Sequence, residues 1–510
     1  MEESWAKLPG EARQVEARQV EAGQVEAGQV EAGQVEAGQA EAGHVEAGQV
    51  EAGVEAGQVE AGQASVDLHL ELPGTRIRLG LETALRDAVR TGRLVPGTRL
   101  PSSRALAADL GLARNTVAEV YSQLVAEGWL TARTGSGTTV AERRAADLIP
   151  RPPARPEAVA PRYDLRPGVP DLSAFPGRAW LATARKVVAA APRQLLDYPD
   201  PRGLPQLREA LSGYLARVRG VAADPGHIVI CAGFAQGLAV SCAALRSSGA
   251  ATLAVEAYGH QAHRDLAQVQ GLRLRPLPVD DRGAVIGGAA GADAVLLTPA
   301  HQFPLGVTLH PQRRREAVRW GGVVIEDDYD GEFRYDRQPV GALQALAPDR
   351  VIYAGTASKS LVPALRLGWL VVPPRLLDAV AAQLTGGPSG LDQLTLAEFI
   401  DSGGYDRQIR RTRLAYRRRR DRLVAAVARR GRRVTGIAAG LQALLELPPT
   451  GIERDLIARA AQRGLALQGL ENFRAPGWAA DRAGLVIGYS RPAEHAYTTA
   501  LARLCAVLDR

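Results

Sequence analysis

Lysine is scarce in this chain. It occurs only at Lys7, Lys186 and Lys359, and arginine supplies the other basic side chains. Lys359 stands in the uncharged, hydroxyl-rich string Thr356-Ala357-Ser358-Lys359-Ser360, just after the apolar run Val351-Ile352-Tyr353, and Arg366 follows seven residues later. An amine in such a loop can condense with an aldehyde, chemistry closed to a guanidinium, and the setting argues against an ordinary surface lysine. Thr356, Ser358 and Arg366 are the residue types that hold a phosphate group. A second cluster, Glu326-Asp327-Asp328-Tyr329-Asp330, follows the strand-like run Val323-Val324-Ile325. Ligands of open α/β sheets bind at that carboxyl end. Calcium is the rival use of these acids, but the spacing of an EF-hand loop is absent. Gly233-Phe234-Ala235-Gln236, after Ile228-Val229-Ile230, reads as a turn opening a helix whose backbone N–H groups could take a phosphate.

These groups together meet the needs of pyridoxal 5'-phosphate (PLP): an amine for its aldehyde, an anion for its pyridine nitrogen, a donor near its ring hydroxyl and a phosphate cradle. Lys359 is the candidate Schiff-base residue. Asp327 would keep the pyridine nitrogen protonated and Tyr329 would donate toward the ring oxygen. Gly233, Phe234 and Ala235 would hold the phosphate together with Thr356, Ser358 and Arg366.

The elements that must position these residues are legible as runs. With Thr252-Leu253-Ala254-Val255, Ala294-Val295-Leu296-Leu297 and Gly368-Trp369-Leu370-Val371-Val372, the runs above predict a largely parallel sheet with helices on both faces. A smaller α+β domain is expected beyond about Ala425. Upstream, residues 141–161 are rich in arginine, alanine and proline and read as a linker. Residues 1–66 are mostly a Glu-Ala-Gly-Gln-Val repeat with a glycine in nearly every copy, too poor in apolar surface to order itself, and disorder is expected there.

Between them, residues 67–140 carry a third pattern. Helices are predicted over Leu79 to Val89, Ser103 to Leu110 with Ser102 as its cap, and Arg114 to Glu127. The string from Gly128 to Val140 alternates like a hairpin with a glycine tip, giving a winged helix-turn-helix. The strings Gly92 to Arg104, Leu106 to Gly111 and Arg114-Asn115-Thr116-Val117 resemble the GntR family. That resemblance implies double-stranded DNA as partner, with Arg104, Arg114, Asn115, Thr116, Gly135 and Gly137 at the contact. Ala113 departs from it, since serine usually caps this helix; the missing cap is worth about 1 kcal/mol.

Leu196 to Gly203, Thr298 to Gly306, Glu326 to Tyr335 and the Lys359 segment extend the likeness, because together they resemble the MocR subfamily of GntR regulators. The resemblance implies a winged helix joined to a fold-type I aminotransferase-like domain over residues 162–510. It further implies bound PLP, a homodimer that is often domain-swapped, and promoter control by a small-molecule amine or amino-acid effector. His260 stands where a ring-stacking tyrosine is usual in that family, and Ala262 where some members have an effector-binding arginine. Near the C-terminus Val486 occupies the expected place of a carboxylate-clamping arginine, with Arg482 nearby.

Composition agrees with a globular multidomain protein: 46% hydrophobic and 23% charged residues, with a formal net charge of +7. Cys231, Cys242 and Cys505 match neither a disulfide framework nor a zinc spacing, and no metal site is expected. No apolar run is long enough to span a membrane and the N-terminus lacks a signal-peptide core, so a cytoplasmic protein is expected. The leading function is a transcriptional regulator responding to PLP or to an amine. The alternative is a PLP-dependent aminotransferase with an accessory DNA-binding domain. Transaminase activity is left open by the sequence.

Overall fold

The computed structural model describes residues 77–133, 137–142, 161–335, 340–448 and 452–509. The chain divides into two compact units, Met1–Ala154 and Arg155–Arg510. The repeat and most of the linker lie outside the described residues.

In the first unit, helices Ile77–Arg90, Ser103–Asp109 and Arg114–Ala126 precede an antiparallel hairpin of Leu130–Arg133 and Gly137–Val140. Leu81, Leu85, Leu106, Val117, Val120, Leu124, Leu130 and Val140 close one core. Leu79, at the start of the first predicted helix, is 52% exposed, and the inward face is formed by Leu81, Leu85 and Ala88. The Ser102 hydroxyl caps the second helix, accepting from the Ala105 amide at 3.2 Å. The third helix starts at Ala113 in extended conformation with no side-chain cap.

The second unit is built on a seven-stranded sheet. Its order is Ile228–Cys231, Gly368–Val371, Val351–Thr356, Val323–Asp327, Ala294–Leu297, Thr252–Glu256 and Arg273–Leu277. The expected parallel pairing holds from Val351–Thr356 to Arg273–Leu277. Gly368–Val371 is the exception, running antiparallel to both of its neighbours. Its first residue, Gly368, is in register with Cys231 on one side and Thr356 on the other. A Cβ there would stand 2.9 Å from the Cα of Gly233, so only glycine lets the two backbones approach. The second unit also contains a three-stranded antiparallel sheet of Val434–Thr435, Ala443–Leu447 and Ala483–Ile487.

Candidate functional site

Sheet direction brings Asp327, Thr356 and the turn after Cys231 to one end of three strands, and the reversed strand places Arg366 there as well. A cavity of about 250 Å³ opens at this end. It is lined by nine of the residues proposed from sequence: Phe234, Ala235, His260, Asp327, Tyr329, Thr356, Ser358, Lys359 and Arg366. Gly233 stands beside it as the N-cap of helix Phe234–Ser247, with φ of +81°. The first intrahelical bond runs from Gly237 to Gly233, so the amides of Phe234, Ala235 and Gln236 precede it and form an anion-binding end. The Arg366 guanidinium reaches over this turn. It donates to the Ala232 carbonyl at 2.6 Å and lies 3.5 Å from where a Cβ on Gly233 would be. Thr356 Oγ1 is 3.0 Å from Ser358 Oγ, completing a cluster of phosphate-type donors.

At the other end of the cavity, Asp327 Oδ1 is buried and has no hydrogen-bond partner among the described residues. Burial pushes this carboxyl well above its usual range, opposed by the Lys359 ammonium. An unpartnered buried oxygen carries a desolvation cost, and a protonated ring nitrogen is a donor that would remove it. Lys359 is half-buried and donates from Nζ to the Gly168 carbonyl at 2.5 Å. Burial lowers its pKa while Asp327 and Asp330 raise it; the net shift favours the neutral, nucleophilic amine. The Tyr329 hydroxyl accepts from Gln442 Nε2 at 2.7 Å and stands 3.2 Å from His301 Nδ1, itself 2.8 Å from Asp330 Oδ2. The residue set fits PLP: Lys359 for its aldehyde, Asp327 for its ring nitrogen, Tyr329 beside its ring oxygen and the Gly233–Arg366 turn for its phosphate. When bound, the cofactor supplies an electron sink for carbanions next to an amine.

Some cavity residues escaped the sequence reading. Gly168 and Gln442 come from distant segments with no local signal. His263 lies one turn beyond His260, and Phe303 belongs to a string quoted above without a role. His260 and Phe303 are stacked. Burial pushes both imidazoles down, His260 well below its usual value and His263 to about 4, so neither is charged near neutrality. Arg482 pairs with Asp281 at 3.6 Å, and Val486 is buried in the core; neither lines the cavity.

In the first unit Arg104, Arg114 and Asn115 are exposed, and neither arginine has a side-chain partner among the described residues. By contrast Arg78 and Arg86 are held by Glu82, Glu119 and Glu127. Thr116 is half-buried at the start of the third helix. Gly137 has φ of +85° and lies against the Arg99 guanidinium, 3.1 Å from its would-be Cβ, whereas Gly135 lies outside the described residues.

Comparison with known proteins joins the two halves. Residues 78–140 match the profile of bacterial regulatory proteins of the gntR family, and residues 168–479 that of aminotransferase class I and II. The chain is 33% identical to the pyridoxine biosynthesis transcriptional regulator PdxR of Corynebacterium glutamicum, over 84% of this chain and 95% of that one. It is 31% identical to the probable rhizopine catabolism regulatory protein MocR of Rhizobium meliloti, over 80% and 88% respectively. The chain belongs to the MocR subfamily of GntR-type regulators. The MocR likeness extends to solved folds: a kynurenine aminotransferase of Pyrococcus horikoshii superposes with a TM-score of 0.61 at 24% identity, covering 69% of this chain and 91% of the other. As a MocR-type regulator the chain couples a DNA-binding winged helix to an aminotransferase-like domain. No helix among the described residues is long and apolar enough to cross a membrane.

Proposed function

We propose that this regulator binds PLP through Lys359 and responds to PLP itself, switching promoter occupancy with cofactor supply. The observation that carries the reading is the charge inventory of the cavity. Among the described residues its basic side chains are Lys359 and Arg366; the aldehyde and phosphate of PLP take both. Among the described residues lining the cavity, no further cationic side chain remains for a substrate carboxylate, and burial holds the two imidazoles neutral. An amino-acid effector would bury an unpaired carboxylate, which is costly. The same shortage opposes efficient transamination, so catalysis is weak or absent in this reading. The pyridoxine biosynthesis named for the Corynebacterium relative is consistent with a vitamin-responsive role.

On the DNA side, Arg104, Arg114, Asn115, Thr116, Gly135 and Gly137 form the contact set. The protein works in the cytoplasm as a homodimer. Support for the dimer comes from the exposed apolar side chains Leu181, Val188, Leu196 and Tyr198, close together in sequence, which a second copy would cover.

The test is capture of genomic fragments by the purified full-length protein, with and without PLP. Discrete promoter fragments whose capture changes with PLP are expected. If a folded, PLP-bearing protein captures none in either condition, the aminotransferase reading takes over.

A further inference from the structure

The charge of this chain is concentrated in one place. Residues 404–433 contain thirteen arginines and two aspartates, a net of +11 in a chain whose total is +7. The other 480 residues therefore carry a net of −4. The winged helix is not where the excess lies: from Leu81 to Val140 there are seven arginines and five acidic residues, a net of +2. Most of the excess sits on the 25-residue helix Gly404–Ala428 of the aminotransferase-like unit.

This helix uses its arginines in two ways. Its inner face is core, with Ile409, Tyr416, Leu423 and Val427 buried. Arg419 is buried with them, pairing with Asp171 at 2.7 Å and Glu494 at 2.7 Å and donating to the carbonyls of Ser490 and Pro492. That arginine is structural. The outer face is different. Arg407, Arg410, Arg418, Arg422 and Arg429 are exposed along it, and Arg410, Arg418 and Arg429 have no side-chain partner among the described residues. Asp421, the exposed acid on this face, is 4.0 Å from Arg417 and neutralises little. From Arg407 to Arg429 the stripe runs about 33 Å at 1.5 Å per residue, close to one turn of B-form DNA at about 34–36 Å.

We propose that this arginine face is a second DNA-contacting surface, which binds the phosphate backbone without reading bases. A guanidinium presents a planar fork to phosphate and stays charged at any working pH. The chain already carries a duplex reader whose own net charge is small, so cations elsewhere on the chain would add to the backbone affinity that its exposed arginines supply. An anionic membrane is the poorer fit. An interfacial helix needs its apolar face free, and here that face is locked in the core, with Leu414 the exposed large apolar side chain of the helix.

The experiment measures binding of the full-length protein to a mixed-sequence duplex of about 60 bp as salt is raised between roughly 50 and 200 mM. Three proteins are compared with wild type: Arg410→Gln/Arg418→Gln/Arg429→Gln, the same triple changed to lysine, and Arg114→Ala. The glutamine triple is expected to weaken binding at the lowest salt and to flatten the log–log salt slope by about 2–3, at about 0.9 per lost phosphate contact. The lysine triple should keep most of the slope, because it keeps the charge. Arg114→Ala reports separately on the winged helix, so loss of ordinary DNA binding would be seen there. An unchanged slope in the glutamine triple overturns the proposal, as does a loss of affinity that lysine fails to rescue. So does an outcome in which the triple alters binding to phosphatidylglycerol–phosphatidylcholine vesicles and leaves the DNA slope intact.

Discussion

The imidazole of His260 lies face to face with the ring of Phe303, centroids 4.0 Å apart and planes 12° from parallel. His263 at 5.0 Å and Phe473 at 5.8 Å surround the pair. One face of His260 is thus taken, and the other is what remains for a ligand ring. His260→Phe is expected to hold PLP about as well as wild type. His260→Ala should weaken it roughly two- to tenfold, the worth of one aromatic contact at about 0.5–1.5 kcal/mol. Spectrophotometric titration of the stripped protein reads the difference; equal affinity in the alanine variant removes the stacking role.

Lys359→Ala is expected to abolish covalent attachment of PLP, read as cofactor trapped by borohydride and found by mass spectrometry. A trapped adduct in that variant would assign the attachment to another residue. Asp327→Asn should weaken PLP binding by about 10- to 100-fold, as expected for a charge-assisted hydrogen bond of about 1.5–3 kcal/mol.

Ala113 begins the third helix in the extended conformation of a cap but has no oxygen to offer. Ala113→Ser should stabilise the winged helix by about 1 kcal/mol. Thermal unfolding of residues 77–142, if these fold alone, or of the corresponding transition in the full chain, measures it.

Arg114 is exposed at the first turn of the same helix. Arg114→Ala is expected to weaken promoter binding and, if its partner is a phosphate, to reduce the salt slope by about 0.9. Unchanged affinity at matched salt removes it from the contact set.

Glu256 is buried, accepts from Thr298 Oγ1 at 2.6 Å and Gln302 Nε2 at 3.1 Å, and burial pushes its carboxyl up to about 7. The folded state therefore keeps a proton that the unfolded chain releases above its ordinary value of 4.5. The stability from this site is complete at low pH and is lost as pH rises toward and through 7. Glu256→Gln keeps an acceptor for both donors and removes the titration. Between pH 5 and 8 the wild type should lose stability relative to the variant, by a difference on the order of 3 kcal/mol. Parallel pH profiles from urea unfolding would refute the assignment.

Much of this arrangement was legible beforehand, and for physical reasons. Short β-branched runs bounded by turns mark buried parallel strands, so the carboxyl ends that carry Asp327 and Thr356 could be located. Scarcity of lysine made Lys359 conspicuous. The reversed direction of Gly368–Val371 was not legible, because an apolar run has no polarity and both of its faces are covered. Gln442 and Gly168 were missed for a related reason: they meet Tyr329 and Lys359 across separations of 113 and 191 residues. On the first helix, Leu79 lies two residues before Leu81 and so falls opposite the face shared by Leu81, Leu85 and Ala88, which strict helical spacing already separates from it. The Phe303 contact of His260 was also out of reach, since a ring's partner depends on tertiary approach and not on spacing.

Gly368 is in register with Cys231 and Thr356 at once, which gives the cavity a mechanical meaning. Its phosphate end is borne by three adjoining strands, and Asp327 brings in a fourth. A cofactor seated there would rivet four neighbouring ribbons at one edge of the sheet, whereas Ala294–Leu297, Thr252–Glu256 and Arg273–Leu277 have no residue of their own in the cavity lining. Vitamin supply would then register as stiffness, with amide protection climbing together in the riveted four and lagging in the other three.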